Sequence, residues 1–90
     1  MLSSKPCSDK DLVCRYIKGD DRAFEILFNR HKGKVYTCVY CYLKDENLAD
    51  DVFQQTFMKV IDVLRSGTYD VDTKFLQFVL RTAYEIVSLK

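Results

Sequence analysis

Tryptophan is absent from this 90-residue chain, and proline and histidine occur once each. Glycine occurs three times. So few turn formers leave long uninterrupted stretches, which favours helices over a turn-rich sandwich. No Asn-Gly or Asp-Gly pair is present and alternating hydrophobicity is not sustained, so strands find little support. No apolar run approaches the roughly 18 residues of a membrane span. The N-terminus, Met1-Leu2-Ser3-Ser4-Lys5-Pro6, is polar and holds no signal-peptide apolar stretch. The expectation is a cytoplasmic protein with no membrane contact.

Catalytic chemistry is equally sparse. There is no phosphate-binding glycine loop and no H-E-x-x-H. The single imidazole, His31, falls on an apolar stripe, where a hydrogen-bonded core histidine is the simpler reading than a ligand or a catalyst. Carboxylates pair at Asp20/Asp21, Asp50/Asp51 and Asp70/Asp72, and each pair is explained by a helix cap or a solvated face. No enzyme, metal or cofactor is expected. Four cysteines are present, and Cys38 and Cys41 form a C-x-x-C. Both lie inside a helical pattern without a second pair, so free thiols are expected rather than zinc or redox chemistry. The formal net charge of +1 shows none of the basic excess usual in nucleic-acid binders. Any such role must use local patches.

What is present is helical periodicity, with 48% hydrophobic and 30% charged residues, enough for one small core. Residues 1–8 read as a flexible lead-in and residues 9–90 as one domain. Ser8 and Asp11 resemble a capping box ahead of a first helix from Asp9 to Lys18, which Gly19 stops. Asp20 or Asp21 caps a second helix over Arg22 to Leu43, with Phe24, Leu27, Phe28, His31, Val35, Val39 and Leu43 as its stripe. Tyr36, Tyr40 and Tyr42 widen that stripe, and Gly33 marks a possible bend. A third helix runs from Asp45 to Leu64, with apolar positions at 48, 52, 57, 60, 61 and 64. Its other face carries Asp50, Asp51, Phe53, Gln54 and Gln55, and an outward-facing aromatic among carboxamides suggests a surface that touches something. Ser66-Gly67 ends it. After a loop, Asp72 or Thr73 caps a fourth helix with Phe75, Phe78, Val79, Thr82, Ala83 and Ile86 at core spacing. That helix reaches Lys90 without a stop signal, so a longer protein is expected. The fold class is an all-α compact bundle of four helices.

Four blocks carry a family resemblance. Gly19-Asp20-Asp21-Arg22-Ala23-Phe24-Glu25-Ile26-Leu27 resembles the GD-x-x-AF-x-x-L opening of region 2 in bacterial sigma factors of the extracytoplasmic-function group. Lys34-Val35-Tyr36 resembles the x-V-Y that follows. Ala49-Asp50-Asp51-Val52-Phe53-Gln54-Gln55-Thr56-Phe57 resembles A-E-D-L-V-Q-E-T-F. Tyr69-Asp70 followed by Lys74-Phe75-Leu76-Gln77-Phe78-Val79-Leu80-Arg81-Thr82-Ala83 resembles F-D-x-x-x-x-F-x-x-W-L-x-R-I-A. The blocks lie in order and at family spacing over about residues 9–87 without a gap.

The resemblance implies a region 2 domain that binds core RNA polymerase and recognises and melts the promoter minus-ten element. It implies docking on the clamp helices of the largest polymerase subunit through Asp50, Asp51, Phe53, Gln54 and Gln55. Phe57 also matches that motif, but its place on the stripe marks it as core. Promoter contact is implied for Tyr69, Asp70, Lys74, Gln77, Arg81 and Tyr84, in a loop and helix that capture a flipped base and face the separated strand. An anti-sigma factor is an implied further partner. Three positions depart from the family pattern: Phe78 stands for its Trp, Glu85 for an Asn and Leu89 for an Asp. A carboxylate near DNA phosphate repels it. The alternative reading is therefore a sigma-like protein-interaction module that docks without productive melting.

Overall fold

The computed structural model describes residues 8–70 and 72–89. Among these residues are four helices: α1 (Asp9–Ile17), α2 (Asp21–Leu43), α3 (Glu46–Ser66) and α4 (Phe75–Ser88). The expected all-α bundle of four helices is what forms. Residues 1–7, with Cys7 and most of the expected lead-in, lie outside the described residues, as do Val71 and Lys90.

Local chemistry sets most boundaries. The Ser8 side chain accepts from the Asp11 amide at 3.2 Å and starts α1. Gly19, at φ 109°, turns the chain out of it, a conformation that costs glycine little. Asp20 accepts from the Arg22 amide at 3.1 Å, and Asp45 accepts from the amides of Asn47 and Leu48, so carboxylates cap both long helices. Gly67, at φ 77°, closes α3. Lys44 ends α2 in the left-handed region at φ 52°, its amide donating to the Tyr40 carbonyl. α4 starts differently from expectation. Its cap is Lys74, without any side-chain hydrogen bond, and neither Asp72 nor Thr73 fills the role. Asp72 accepts instead from Lys10 Nζ of α1 at 3.1 Å. α2 runs through Gly33 as unbroken helix.

α2 packs against all three other helices, and α3 also packs on α4. The core between them comprises Leu12, Val13 and Tyr16 from α1; Ala23, Leu27, Val35 and Val39 from α2; Ala49, Val52, Phe57, Val60 and Leu64 from α3; and Phe75, Val79 and Ala83 from α4. Removing each large aliphatic from water stabilises the fold by about 1.5–3 kcal/mol before the entropy of ordering is subtracted. Two threonines enter this core, and each hydroxyl is satisfied within its own helix: Thr56 donates to the Val52 carbonyl at 2.7 Å and Thr82 to the Phe78 carbonyl at 2.9 Å.

Burial corrects several positions. Phe53 is not an exposed aromatic on the polar face. It is half-buried, with ring centroids 5.9 Å from Phe28, 5.7 Å from Tyr36 and 5.1 Å from Phe57. Leu48, on the expected stripe, is 47% exposed, and Tyr40 and Tyr42 are 44% and 48% exposed. His31 is the hydrogen-bonded imidazole expected, with its Nε2 2.7 Å from Asp9 Oδ2 and its ring 5.7 Å from that of Phe75. Arg30 reaches the other Asp9 oxygen at 2.7 Å, so one carboxylate ties α1 to α2.

Candidate functional site

Two surfaces gather the residues singled out in the sequence. The first is the outer face of α3. Asp50, Asp51 and Gln54 are exposed, and Gln55, half-buried, donates its amide to Asp51 Oδ2 at 2.9 Å. From Asp45 to Met58 there are four carboxylates and no Lys or Arg, so this end of the helix carries one sign of charge. Burial, and then the Asp50 carboxylate beside it, push the Tyr36 phenol of α2 above its ordinary value. Phe53 contributes from beneath, as part of the ring cluster that holds the face in place, rather than as an exposed group.

The second surface is the loop from Gly67 to Lys74 together with the first turns of α4. The Tyr69 hydroxyl donates to the Thr73 carbonyl at 2.7 Å, and its ring meets that of Phe78 edge-on at 4.9 Å. Asp70 Oδ1 accepts from the Asp72 amide at 3.0 Å, and the Thr73 amide donates to the Asp70 carbonyl at 2.9 Å. Tyr69, Asp70, Asp72 and Thr73 are thus clasped together by these bonds. Burial raises the Tyr69 phenol, with smaller contributions from Asp70 and Asp9.

Against this loop lies a concavity of about 250 Å³ lined by Tyr69, Asp70, Thr73, Gln77, Phe78 and Arg81. Its size is just below the roughly 300 Å³ at which drug-sized sites begin. A neighbouring cavity of about 390 Å³ shares Tyr69, Thr73 and Gln77 and adds Lys74. On its far side stand Asp9, Lys10 and His31, which sequence spacing did not bring to this loop. Of the expected contact residues, Tyr69, Asp70, Gln77 and Arg81 share one cavity, and Lys74 lines the next. Tyr84 lines neither. It packs edge-on to Tyr42 at 5.7 Å and borders a groove formed with Lys59, Glu85, Ile86 and Leu89. Thr73 and Phe78 also line the first cavity and were not among the expected contact residues.

Cys14, Cys38 and Cys41 are free thiols. Among the described residues no group of three His, Cys, Asp or Glu is placed to hold a metal, and no helix is long and apolar enough to cross a membrane.

Comparison with known proteins identifies the family. The Sigma-70 region 2 family matches residues 27–86. RNA polymerase sigma-H factor of Pseudomonas aeruginosa is 32% identical over 75 residues, covering 83% of this chain and 38% of that protein. RNA polymerase sigma factor CarQ of Myxococcus xanthus is 36% identical over 70 residues, covering 77% of this chain and 38% of that protein. The chain therefore matches less than two-fifths of the length of these relatives. Among solved structures, an engineered region 2 of sigmaE in complex with GTAAAA matches with a TM-score of 0.84 and 32% identity, over 97% of this chain and 88% of that one.

Proposed function

The chain belongs to the Sigma-70 region 2 family, and on that premise we propose that it docks on core RNA polymerase through α3 and takes up the minus-ten element of a promoter at the loop before α4. The observation that carries the proposal is the cavity bounded by Tyr69, Asp70, Gln77 and Arg81. It combines an aromatic wall, a carboxamide able to pair with a base edge, and a cation for the backbone, the set that unpaired strands require. The related structure is a complex with GTAAAA, which makes that sequence the first probe. Lys74 serves the same strand from the adjacent cavity, and Tyr84 lies further along α4. A role at the polymerase implies the cytoplasm.

Docking uses Asp50, Asp51, Gln54 and Gln55, with the clamp helices of the largest subunit as partner and Phe53 as support. The test is capture of core RNA polymerase by the tagged chain. The double variant Asp50→Arg, Gln54→Ala is expected to lose capture while keeping wild-type helicity, since both side chains are exposed. Wild-type capture by that variant rejects α3 as the interface.

Glu85 on α4 and Leu89 just past its end, both exposed, favour a second reading, docking on polymerase or on an anti-sigma factor without strand separation. A carboxylate there opposes phosphate approach. Sequence-dependent binding of a minus-ten oligonucleotide excludes it.

A further inference from the structure

The first turn of α1 has no part in the strand cavity described above, yet it stands beside it. Asp9 and Lys10 line the neighbouring cavity of about 390 Å³ together with Tyr69, Thr73 and Lys74. This turn is fixed from behind. Ser8 caps it, and the Asp9 carboxylate meets Arg30 Nη1 through one oxygen and His31 Nε2 through the other, each at 2.7 Å. The His31 side chain is 11% exposed, so this anchor on α2 is screened less than a surface pair. Lys10 therefore reaches the loop from a backbone already held in place. Its Nζ meets Asp72 Oδ1 at 3.1 Å. That hydrogen bond, and then the charge of the same carboxylate, hold the Lys10 ammonium above its ordinary value.

The loop gains from a support outside itself. Tyr69 donates to the Thr73 carbonyl, and the Asp72 and Thr73 amides donate to Asp70. These bonds close the loop on itself without tying it to a helix. α4 starts at Lys74 without a side-chain cap, so no capping bond locks the loop to the helix start. The Tyr69 ring on Phe78 holds the first half of the loop to α4. Asp72 lies in the second half, and Lys10 holds it to α1. Both partners are exposed, so the pair adds little to the stability of the whole domain. Its effect falls on local opening of the loop, which costs far less than global unfolding.

We propose that Lys10 is a positioning residue for strand uptake: by holding Asp72 it fixes the loop against α1 and keeps the wall of Tyr69, Asp70 and Thr73 in its strand-binding shape. The ammonium acts through Asp72 and not on phosphate. This rests on the reading of that cavity as the strand site, and it brings α1 into the architecture of the site.

The test measures GTAAAA affinity by fluorescence anisotropy at low salt, where an exposed pair is least screened. The chains are wild type, Lys10→Gln, Asp72→Ala, Lys10→Asp, Asp72→Lys and the exchanged pair Lys10→Asp with Asp72→Lys. Lys10→Gln is expected to bind about two- to fivefold more weakly, the range of an exposed ion pair, with a melting temperature near that of the wild type. Asp72→Ala is expected to weaken binding similarly, although it removes a negative charge beside the strand. Lys10→Asp is expected to lose more affinity in the wild-type background than in the Asp72→Lys background, the signature of two residues that act as a pair. Wild-type affinity in Lys10→Gln overturns the proposal. Weaker binding in Lys10→Gln beside tighter binding in Asp72→Ala assigns Lys10 to the phosphate backbone and also overturns it. Equal losses from Lys10→Asp in both backgrounds overturn the pairing. A melting temperature of Lys10→Gln well below that of the wild type assigns the loss to the fold as a whole and overturns the positioning role. A wild-type chain that does not bind GTAAAA overturns the cavity reading and this proposal together, whereas the variant results fall on Lys10 alone.

Discussion

Replacing Tyr69 by Phe isolates one bond in the loop before α4. The hydroxyl donates to the Thr73 carbonyl at 2.7 Å, and the ring lies 4.9 Å from that of Phe78. Phenylalanine keeps the ring and deletes the donor. Thr73 is exposed, so its carbonyl turns to water and no buried acceptor is orphaned. The loss is then the net value of an ordinary hydrogen bond, about 0.5–1.5 kcal/mol. Tyr69→Ala also removes the edge-on ring contact, worth a further 0.5–1.5 kcal/mol or so. For a domain of this size each kcal/mol lowers the melting temperature by about 4–8 °C. Thermal unfolding followed by far-UV circular dichroism should therefore rank wild type above Tyr69→Phe and Tyr69→Phe above Tyr69→Ala. GTAAAA affinity should fall in the same order, because the clasped turn forms the cavity wall. A Tyr69→Phe chain that melts and binds like the wild type refutes the clasp as the device that shapes this cavity.

Gly67 and Gly33 should respond with opposite signs to alanine. Gly67 sits at φ 77°, so Gly67→Ala should lower stability by about 1 kcal/mol or more. Gly33 lies in regular helix with open space where a Cβ would go, so Gly33→Ala should raise it by about 0.5–1 kcal/mol; urea midpoints check both. Alkaline pH should destabilise the fold. Burial, followed by Asp50 at Tyr36 and Asp70 at Tyr69, holds both phenols above their ordinary value of 10.0. Their contribution is full below about pH 10, where neither state is ionised, and is lost as pH rises through the native values, because the unfolded chain ionises first. Urea midpoints measured from about pH 8 to 11 should fall at the upper end, and less so in Tyr69→Phe.

Helix existence and most helix ends were legible because single residues encode them: Ser8, Asp20 and Asp45 as caps, Gly19 and Gly67 as left-handed stops. The start of α4 was not. Asp72 has the right chemistry for a cap, but its carboxylate is taken by Lys10, 62 positions away in the chain, and nothing local announces that partnership. Phe53 illustrates a second limit. It lies off the stripe that faces the core, but α3 also borders α2, and Phe28 and Tyr36 supply it with apolar neighbours from that side. A helix with two neighbours buries a wider arc than one amphipathic stripe describes. Leu48 is the converse: correct spacing in the first turn of α3, yet 47% exposed. At the candidate site, the family blocks pointed to the loop, to α4 and to Gln77 and Arg81. Which residues share a cavity depended on the fold of the loop, where Tyr69 turns back on Phe78 and Thr73. Tyr84, one turn beyond Arg81, faces Tyr42 instead.

The central claim, that the cavity between this loop and α4 takes up an unpaired promoter strand, is tested most directly by fluorescence anisotropy of labelled GTAAAA over a salt series. Binding should exceed that of a scrambled strand of equal length. With Lys74 and Arg81 as the two cations on the strand, the logarithm of affinity should fall with that of salt at a slope near −1.4, about −0.7 for each phosphate neutralised. Arg81→Ala should roughly halve that slope. Equal affinity for the scrambled strand, or a salt slope unchanged in Arg81→Ala, contradicts the account.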